Sequence, residues 1–285
     1  PPPPPSTLPT FRRQRQMCIR DSLKGGVGKT TVTLGLAGAA AAQGLRTLVV
    51  DLDPQGNATL ALDPRSSQFT SNDVLADARA GVLAQAVTET EWDDHLHVDP
   101  SEPALEHRNH PVDGRGGEHR LRTTLAGIDG FDLVLIDTPP SLGELTKNAL
   151  AASDRCVVVT EPTAFAVTGA QQALAAVDVV RSGFNLRLRP AGIIVNRYRA
   201  RSAEHQYRHQ ELVSAYGPLV LEPVLPERSA VVAAAGAHVG VHRWPSPGAR
   251  EIARAMSTHL ASVIASATGP DAPLTTASTT KGLRR

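Results

Sequence analysis

The run Lys24-Gly25-Gly26-Val27-Gly28-Lys29-Thr30-Thr31 sets three glycines between two lysines and follows them with two hydroxyls. Glycines in such a run let consecutive backbone N–H groups turn inward onto phosphate oxygens, and a helix opening at Lys29 adds the positive field of its N-terminus. Lys29 can reach the β- and γ-phosphates of a nucleotide, and the Thr30 hydroxyl can bind Mg²⁺. The common spacing, GxxxxGK[ST], would require glycine at position 23, where this chain has Leu23 followed by Lys24. Two further segments supply acids. Asp51-Leu-Asp-Pro-Gln-Gly-Asn-Ala-Thr59 ends an apolar run with Asp51 and Asp53, then breaks at Pro54 and Gly56. Asp132-Leu-Val-Leu-Ile-Asp137 ends another with Asp137, then breaks at Pro139-Pro140. Both place carboxylates at the C-terminal ends of strands, where open α/β sheets bind their ligands.

The elements that must position these groups are legible as alternating patterns. Apolar runs at 47–51, 96–99, 132–137, 156–160, 192–196 and 219–221 are continuous, which fits strands covered on both faces. Helical patterns fall at 30–43, 74–86, 142–152, 166–182, 203–215 and 249–265. Repeated strand–helix alternation predicts an α/β fold, a doubly wound, mostly parallel sheet flanked by helices. The Gly, Asp and His mixture at 100–119 reads as a surface loop or insertion. Aromatic residues make up only 4% of the chain, so the core must be built from Ala, Val, Leu and Ile. A net charge of +1 excludes neither nucleic acid nor an acidic partner, and makes any basic surface local. No apolar run reaches the about 18 residues of a membrane span. Cys18 and Cys156 give no disulfide framework, and the ten histidines match no tight metal-ligand spacing, so they read as loop and surface residues.

The segment KGGVGKTT resembles the deviant Walker A of the ParA/MinD family of ATPases, and the likeness runs from about Leu23 to about Ala265. Thr138-Pro-Pro-Ser-Leu-Gly143, Leu145-Thr-Lys-Asn-Ala-Leu150, Thr160-Glu-Pro-Thr-Ala-Phe-Ala166 and Gly192-Ile-Ile-Val-Asn-Arg197 carry it further. The resemblance implies a P-loop NTPase domain at 22–266, using ATP and Mg²⁺ in slow, partner-stimulated hydrolysis. It implies that Gly25, Gly26, Val27, Gly28, Lys29, Thr30 and Thr31 cradle the nucleotide. Lys29 acts on the phosphates, Asp53 orients the attacking water, and Thr30, Asp53 and Asp137 surround the metal. Asn196 would contact adenine, in the reach of a side chain that both donates and accepts. Pro223 lies in the late segment that closes over the base. Lys24 would cross a two-fold interface to the phosphates of a second copy, as an arginine finger does, an effect worth roughly 10³–10⁵ in rate elsewhere.

The same resemblance implies an ATP-dependent homodimer, a ParB-like partner and nonspecific DNA held by Arg197, Arg199, Arg201, Arg208 and Arg228. It implies chromosome or plasmid partition by a cytoplasmic, nucleoid-associated protein. The alternative is a MinD-like or cargo-positioning ATPase on a membrane or protein assembly. A Gly/Pro/Ser/Thr tail at 267–285, expected to be disordered, follows the last helix and argues against a terminal membrane-binding helix. Iron–sulfur reductase relatives need bridging cysteine pairs, which Cys18 and Cys156 do not match, and a ligase would need an added substrate domain. Residues 1–21 resemble no part of the family and are expected to be a disordered or artefactual leader. Arg20 and Asp21 would cost on the order of several kcal/mol each in a strand covered on both faces. That places the first native residue at about Ser22 and leaves the first strand missing.

Overall fold

Runs such as Leu133–Asp137 and Arg155–Thr160 have every residue buried, as strands covered on both faces must. The computed structural model describes residues 15–21, 26–111 and 117–268. Its elements in chain order are β1 (Arg15–Asp21), α1 (Lys29–Ala41), β2 (Thr47–Asp51), α2 (Asn57–Leu62), α3 (Ser71–Asp77), β3 (Thr88–Glu89), β4 (Leu96–Asp99), α4 (Arg120–Leu125), β5 (Leu133–Asp137), α5 (Glu144–Ala152), β6 (Arg155–Thr160), α6 (Ala166–Gly183), β7 (Arg189–Val195), α7 (Ala203–Tyr216), β8 (Val220–Leu221), α8 (Ser229–Gly236) and α9 (Pro247–Thr268). The sheet order is β3-β4-β2-β5-β1-β6-β7-β8. Every pairing is parallel except that of the short edge strand β3 with β4. This is the expected doubly wound sheet.

Alternate residues of each strand feed opposite layers. Met17, Ile19, Val49, Leu135 and Val157 pack against α1 and α9, through side chains such as Val32, Leu36, Ile252 and Leu260. Cys18, Leu48, Val50, Val134 and Ile136 face α3, α4, α5 and α6. Helix α1 has eleven of its thirteen residues buried, so it is apolar all round and lies between the sheet and α9. Its Gly35 lets α9 approach closely, because a Cβ there would run into the Met256 side chain.

Of the leader expected through Asp21, the stretch Arg15–Asp21 is strand β1. Residues Arg15–Asp21 form the central strand, in register with β5 on one side and β6 on the other. Met17, Cys18 and Ile19 have no exposed surface and supply apolar side chains to both layers. Ladder hydrogen bonds use the main chain, so Arg20 and Asp21 pair with Val158 and Val159 whatever their side chains. Residues 1–14 lie outside the described residues, as do 269–285 of the expected tail. Cys18 and Cys156, 138 positions apart in sequence, are register partners across this strand pair, and both are buried and outside any disulfide.

Two other expectations need correction. The helix expected at 74–86 is two pieces: α3 stops at Ala78, which turns left-handed at φ 54°, and a 3₁₀ turn covers Val82–Gln85 after Gly81 at φ 77°. Leu75 and Leu83, on either side of the break, enter the same core layer. The 100–119 segment is not wholly surface, because Leu105, in a 3₁₀ turn over Pro103–Asn109, is fully buried. Among the described residues, no helix is long and apolar enough to cross a membrane. Because Met17 fills the α1 layer, Met17→Ala is expected to cost about 2–5 kcal/mol in urea unfolding. Arg15→Ala, at the half-buried start of β1, is expected to change stability far less.

Candidate nucleotide site

The glycine loop hangs from β1 and opens α1 at Lys29, at the C-terminal edge of the sheet. Gly26 and Gly28 stand at φ 91° and 90°, a conformation in which a side chain would be strained. Gly28 meets a second demand, since a Cβ there would collide with the amide of Asn196. Asn196, one residue past β7, donates from Nδ2 to the Val27 carbonyl at 2.8 Å. The asparagine expected at the base therefore also pins the loop, leaving one N–H and its carbonyl for other partners. Lys29 is buried and Thr30 and Thr31 are half-buried. Lys24 and Gly25 lie outside the described residues.

Beneath the loop, Thr30 Oγ1 donates to Asp137 Oδ2 at 2.7 Å. Thr33 Oγ1, one turn along α1, reaches Asp137 Oδ1 at 2.9 Å. Asp137 is fully buried, and burial followed by repulsion from Asp51 pushes its pKa up to about 7, against the hydrogen bonds of the two threonines. A hydroxyl and a carboxylate, both hard oxygen ligands, converge beneath the loop, with the Lys29 ammonium near enough to favour the charged carboxylate. That donor set fits Mg²⁺. Thr33 was not singled out from the sequence. Its signal was its place one helical turn after Lys29.

Asp51 does more than end its strand. Its Oδ2 accepts from the Thr59 amide at 2.8 Å and from Thr59 Oγ1 at 2.7 Å, and its Oδ1 accepts from the Asp53 amide at 3.1 Å. It thus caps the first turn of α2 from the end of β2, where the Gly56 N-cap has no side chain to do so. Burial pushes its pKa up to about 6, with these hydrogen bonds opposing and the Asp53 charge reinforcing the rise. Asp53, also buried, accepts from the Gln55 amide at 3.0 Å within a tight turn closed by Gly56 N–H to the Asp53 carbonyl at 2.8 Å. At the far end of α2, Trp92 Nε1 donates to the Ala61 carbonyl at 2.7 Å, and the His238 ring lies 3.0 Å from the Leu60 carbonyl.

A third acid, Asp99, ends β4 beside β2, so Asp99, Asp51 and Asp137 finish three adjacent strands. Ser71 Oγ lies 2.8 Å from Asp99 Oδ2 and 2.9 Å from the Asp51 carbonyl. A hydroxyl has one hydrogen for these two acceptors, so both bonds form together only when Asp99 carries a proton and donates to Ser71. Burial, with help from Asp51 and Asp73, pushes the Asp99 pKa up to about 8 against the Ser71 bond. Nothing in the local sequence marked Asp99 as more than the end of a strand.

Other expected residues lie elsewhere. Four of the five arginines are engaged with acids: Arg197 with Glu161, Arg199 with Glu227, Arg208 with Glu204 and Glu211, and Arg228 with Glu251. Arg201 is exposed on the turn before α7. Pro223 follows a cis bond after Glu222, just beyond β8.

A glycine loop opening a helix at the edge of a parallel sheet, with strand-end acids beneath it, defines a P-loop nucleotide-binding protein. A family profile described as an AAA domain matches residues 15–189. The chain is 37% identical over 233 residues to the chromosome-partitioning ATPase Soj of Thermus thermophilus, covering 81% of this chain and 90% of that one. Among solved structures, it resembles cobyrinic acid a,c-diamide synthase of Mycobacterium smegmatis with bound ADP and magnesium. That likeness has a TM-score of 0.71 and 29% identity, over 85% of this chain and 92% of the other. It shares the fold of apo McdA of Cyanothece, with a TM-score of 0.76 at 21% identity, over 87% of this chain and 99% of that one. The chain belongs to the ParA/Soj family of partition ATPases, within the deviant Walker A class.

The buried acids set a pH dependence. A carboxyl whose folded pKa is raised contributes most below its unfolded value, near 3.8 for Asp99, and its contribution is lost as pH rises toward about 8. Asp99→Asn keeps a donor toward Ser71 without a charge. Its melting temperature relative to the unsubstituted protein is therefore expected to be higher at pH 8 than at pH 5, by scanning calorimetry at both pH values.

Proposed function

We propose that this chain is a ParA-like ATPase that binds Mg·ATP, forms an ATP-dependent sandwich dimer, holds nonspecific DNA and hydrolyses ATP slowly. A ParB-like partner stimulates hydrolysis and release, and the cycle drives chromosome or plasmid partition. The observation that carries this reading is the convergence of Thr30 on Asp137 directly beneath the glycine loop. Backbone amides of Gly26 to Lys29 and the Lys29 ammonium hold the phosphates. Thr30 and Asp137 would hold Mg²⁺, which when bound neutralises charge on the phosphoryl oxygens. Asp53, on its own clasped turn, orients the attacking water. Lys24 delivers a cation to the other subunit's phosphates, which makes the dimer depend on ATP.

Exposed apolar side chains support a dimer. Leu142 and Phe165, on the loops after β5 and β6, are 42% and 71% exposed on the edge of the sheet that bears the phosphate loop. A second chain across that edge would bury them. For DNA, the paired arginines are not lost as contacts. Exposed ion pairs contribute little because solvent screens them, so phosphates can replace their acids. Arg201, exposed among them, is the natural first contact.

Asp53→Ala is expected to keep ATP-dependent dimers in light scattering while ATP turnover is abolished. Lys24→Ala is expected to stay monomeric with ATP. Hydrolysis by the first variant, or dimers of the second, would move those roles to other residues. ATP, and not ADP, is expected to promote DNA binding in co-sedimentation, with a salt slope of about −0.9 per phosphate contacted. Arg201→Glu is expected to weaken binding to all sequences alike and to lower that slope by about 1. Equal DNA binding in both nucleotide states, with ATP-dependent binding to liposomes, would instead favour the MinD-like reading on a membrane.

A further inference from the structure

The carboxylate of Asp53 can orient a water only if its turn is held still, and the clamp on that turn comes from another strand. The Asp53 carbonyl accepts from Ser101 Oγ at 2.7 Å as well as from Gly56. The Ser101 amide donates to Thr59 Oγ1 at 2.8 Å. Thr59 Oγ1 gives its own hydrogen to Asp51 Oδ2 at 2.7 Å. Ser101 stands just past the end of β4, 48 positions from Asp53 and 42 from Thr59. One residue therefore grips the 53–59 segment at both ends, by hydroxyl at Asp53 and by main chain at Thr59. The strand end it sits on is fixed in turn, since Ser71 donates its amide to the Pro100 carbonyl at 2.8 Å.

We infer that Ser101 is a positioning residue for ATP hydrolysis, which holds the Asp53 turn against β4 through the Asp53 carbonyl and the Thr59 hydroxyl. Its hydroxyl is taken up by the Asp53 carbonyl and its amide by Thr59, so it acts by fixing where the Asp53 carboxylate points. The inference rests on the reading of Asp53 as the water-orienting acid. The division of labour at Ser101 is specific. Removing its hydroxyl frees the Asp53 carbonyl but leaves its amide on Thr59, so α2 keeps its cap while the turn loosens. A small misplacement of an orienting group costs up to roughly 10²-fold in rate.

The test compares Ser101→Ala, Ser101→Thr and Asp53→Ala by single-turnover ATP hydrolysis, fluorescent ATP-analogue binding, thermal melting and amide hydrogen exchange across 53–59. Ser101→Ala is expected to slow hydrolysis about 10- to 100-fold. Its nucleotide affinity is expected to stay within about twofold of the parent. Exchange in the 53–56 turn is expected to quicken, with the melting temperature held. Ser101→Thr, which restores the hydroxyl, is expected to recover most of the rate. Hydrolysis by Ser101→Ala at the parent rate while Asp53→Ala is inactive would overturn the role of Ser101 alone. Parallel loss of affinity, rate and melting temperature, without rescue by threonine, would show a purely structural residue and overturn it as well. Full activity of Asp53→Ala would overturn the reading of Asp53, and the inference with it.

Discussion

The bond on which the site depends joins the first turn of α1 to the end of β5. Both oxygens of the Asp137 carboxyl are held by hydroxyls, Thr30 on one and Thr33 on the other, one helical turn apart. That pair fixes the rotation and height of α1 over the sheet. The glycine loop, which is the N-terminus of the same helix, is fixed with it. Because α1 is buried between the sheet and α9, it has little freedom to answer a displaced loop. The acid is in turn uncomfortable: burial favours its neutral form, and a divalent cation favours its charged one. A divalent cation held there would therefore favour the ionisation of Asp137, whose two oxygens Thr30 and Thr33 hold.

From β5 the polar contacts pass outward across the sheet edge. Asp51, the register partner of Asp137, caps α2 and holds the Asp53 amide. Ser71 joins the Asp51 carbonyl to Asp99 on the next strand. Three acids on adjacent strands sit in one low-dielectric layer, and each raises the cost of ionising its neighbour. An asparagine just past β7 reaches back to the loop from the opposite side. The loop is thus fixed from beneath by β5 and from the side by β7, whereas the Asp53 turn is held from β2 and β4.

What the sequence disclosed followed contiguity. The glycine loop, Asp53 and Asp137 lie in short runs whose spacing carries their chemistry, and each lies at the end of a strand or the start of a helix as the pattern required. Thr59 and Ser101 could not be read that way, because their partners are set by strand order and not by spacing. β1 was illegible for a different reason. Three apolar residues between charged ones look like a poor strand, yet three suffice when the neighbours on both sides supply the rest of the core. The 74–86 helix failed because alanine-rich sequence scores as helix even where Ala78 and Gly81 reverse the chain.

Trp92 closes the far end of α2 with its indole N–H on the Ala61 carbonyl, and only 5% of it is exposed. The chain has two tryptophans, the other being Trp244. An indole in an apolar hollow, hydrogen-bonded to the last turn of the helix that follows Asp53, is an optical gauge built into the protein. Its emission depends on that bond and on the dryness of its surroundings. With Trp244 replaced by phenylalanine, the native fluorescence comes from one ring, whose colour tracks whether the helix after the Asp53 turn stays seated. That signal reads the seating of α2 without any attached dye.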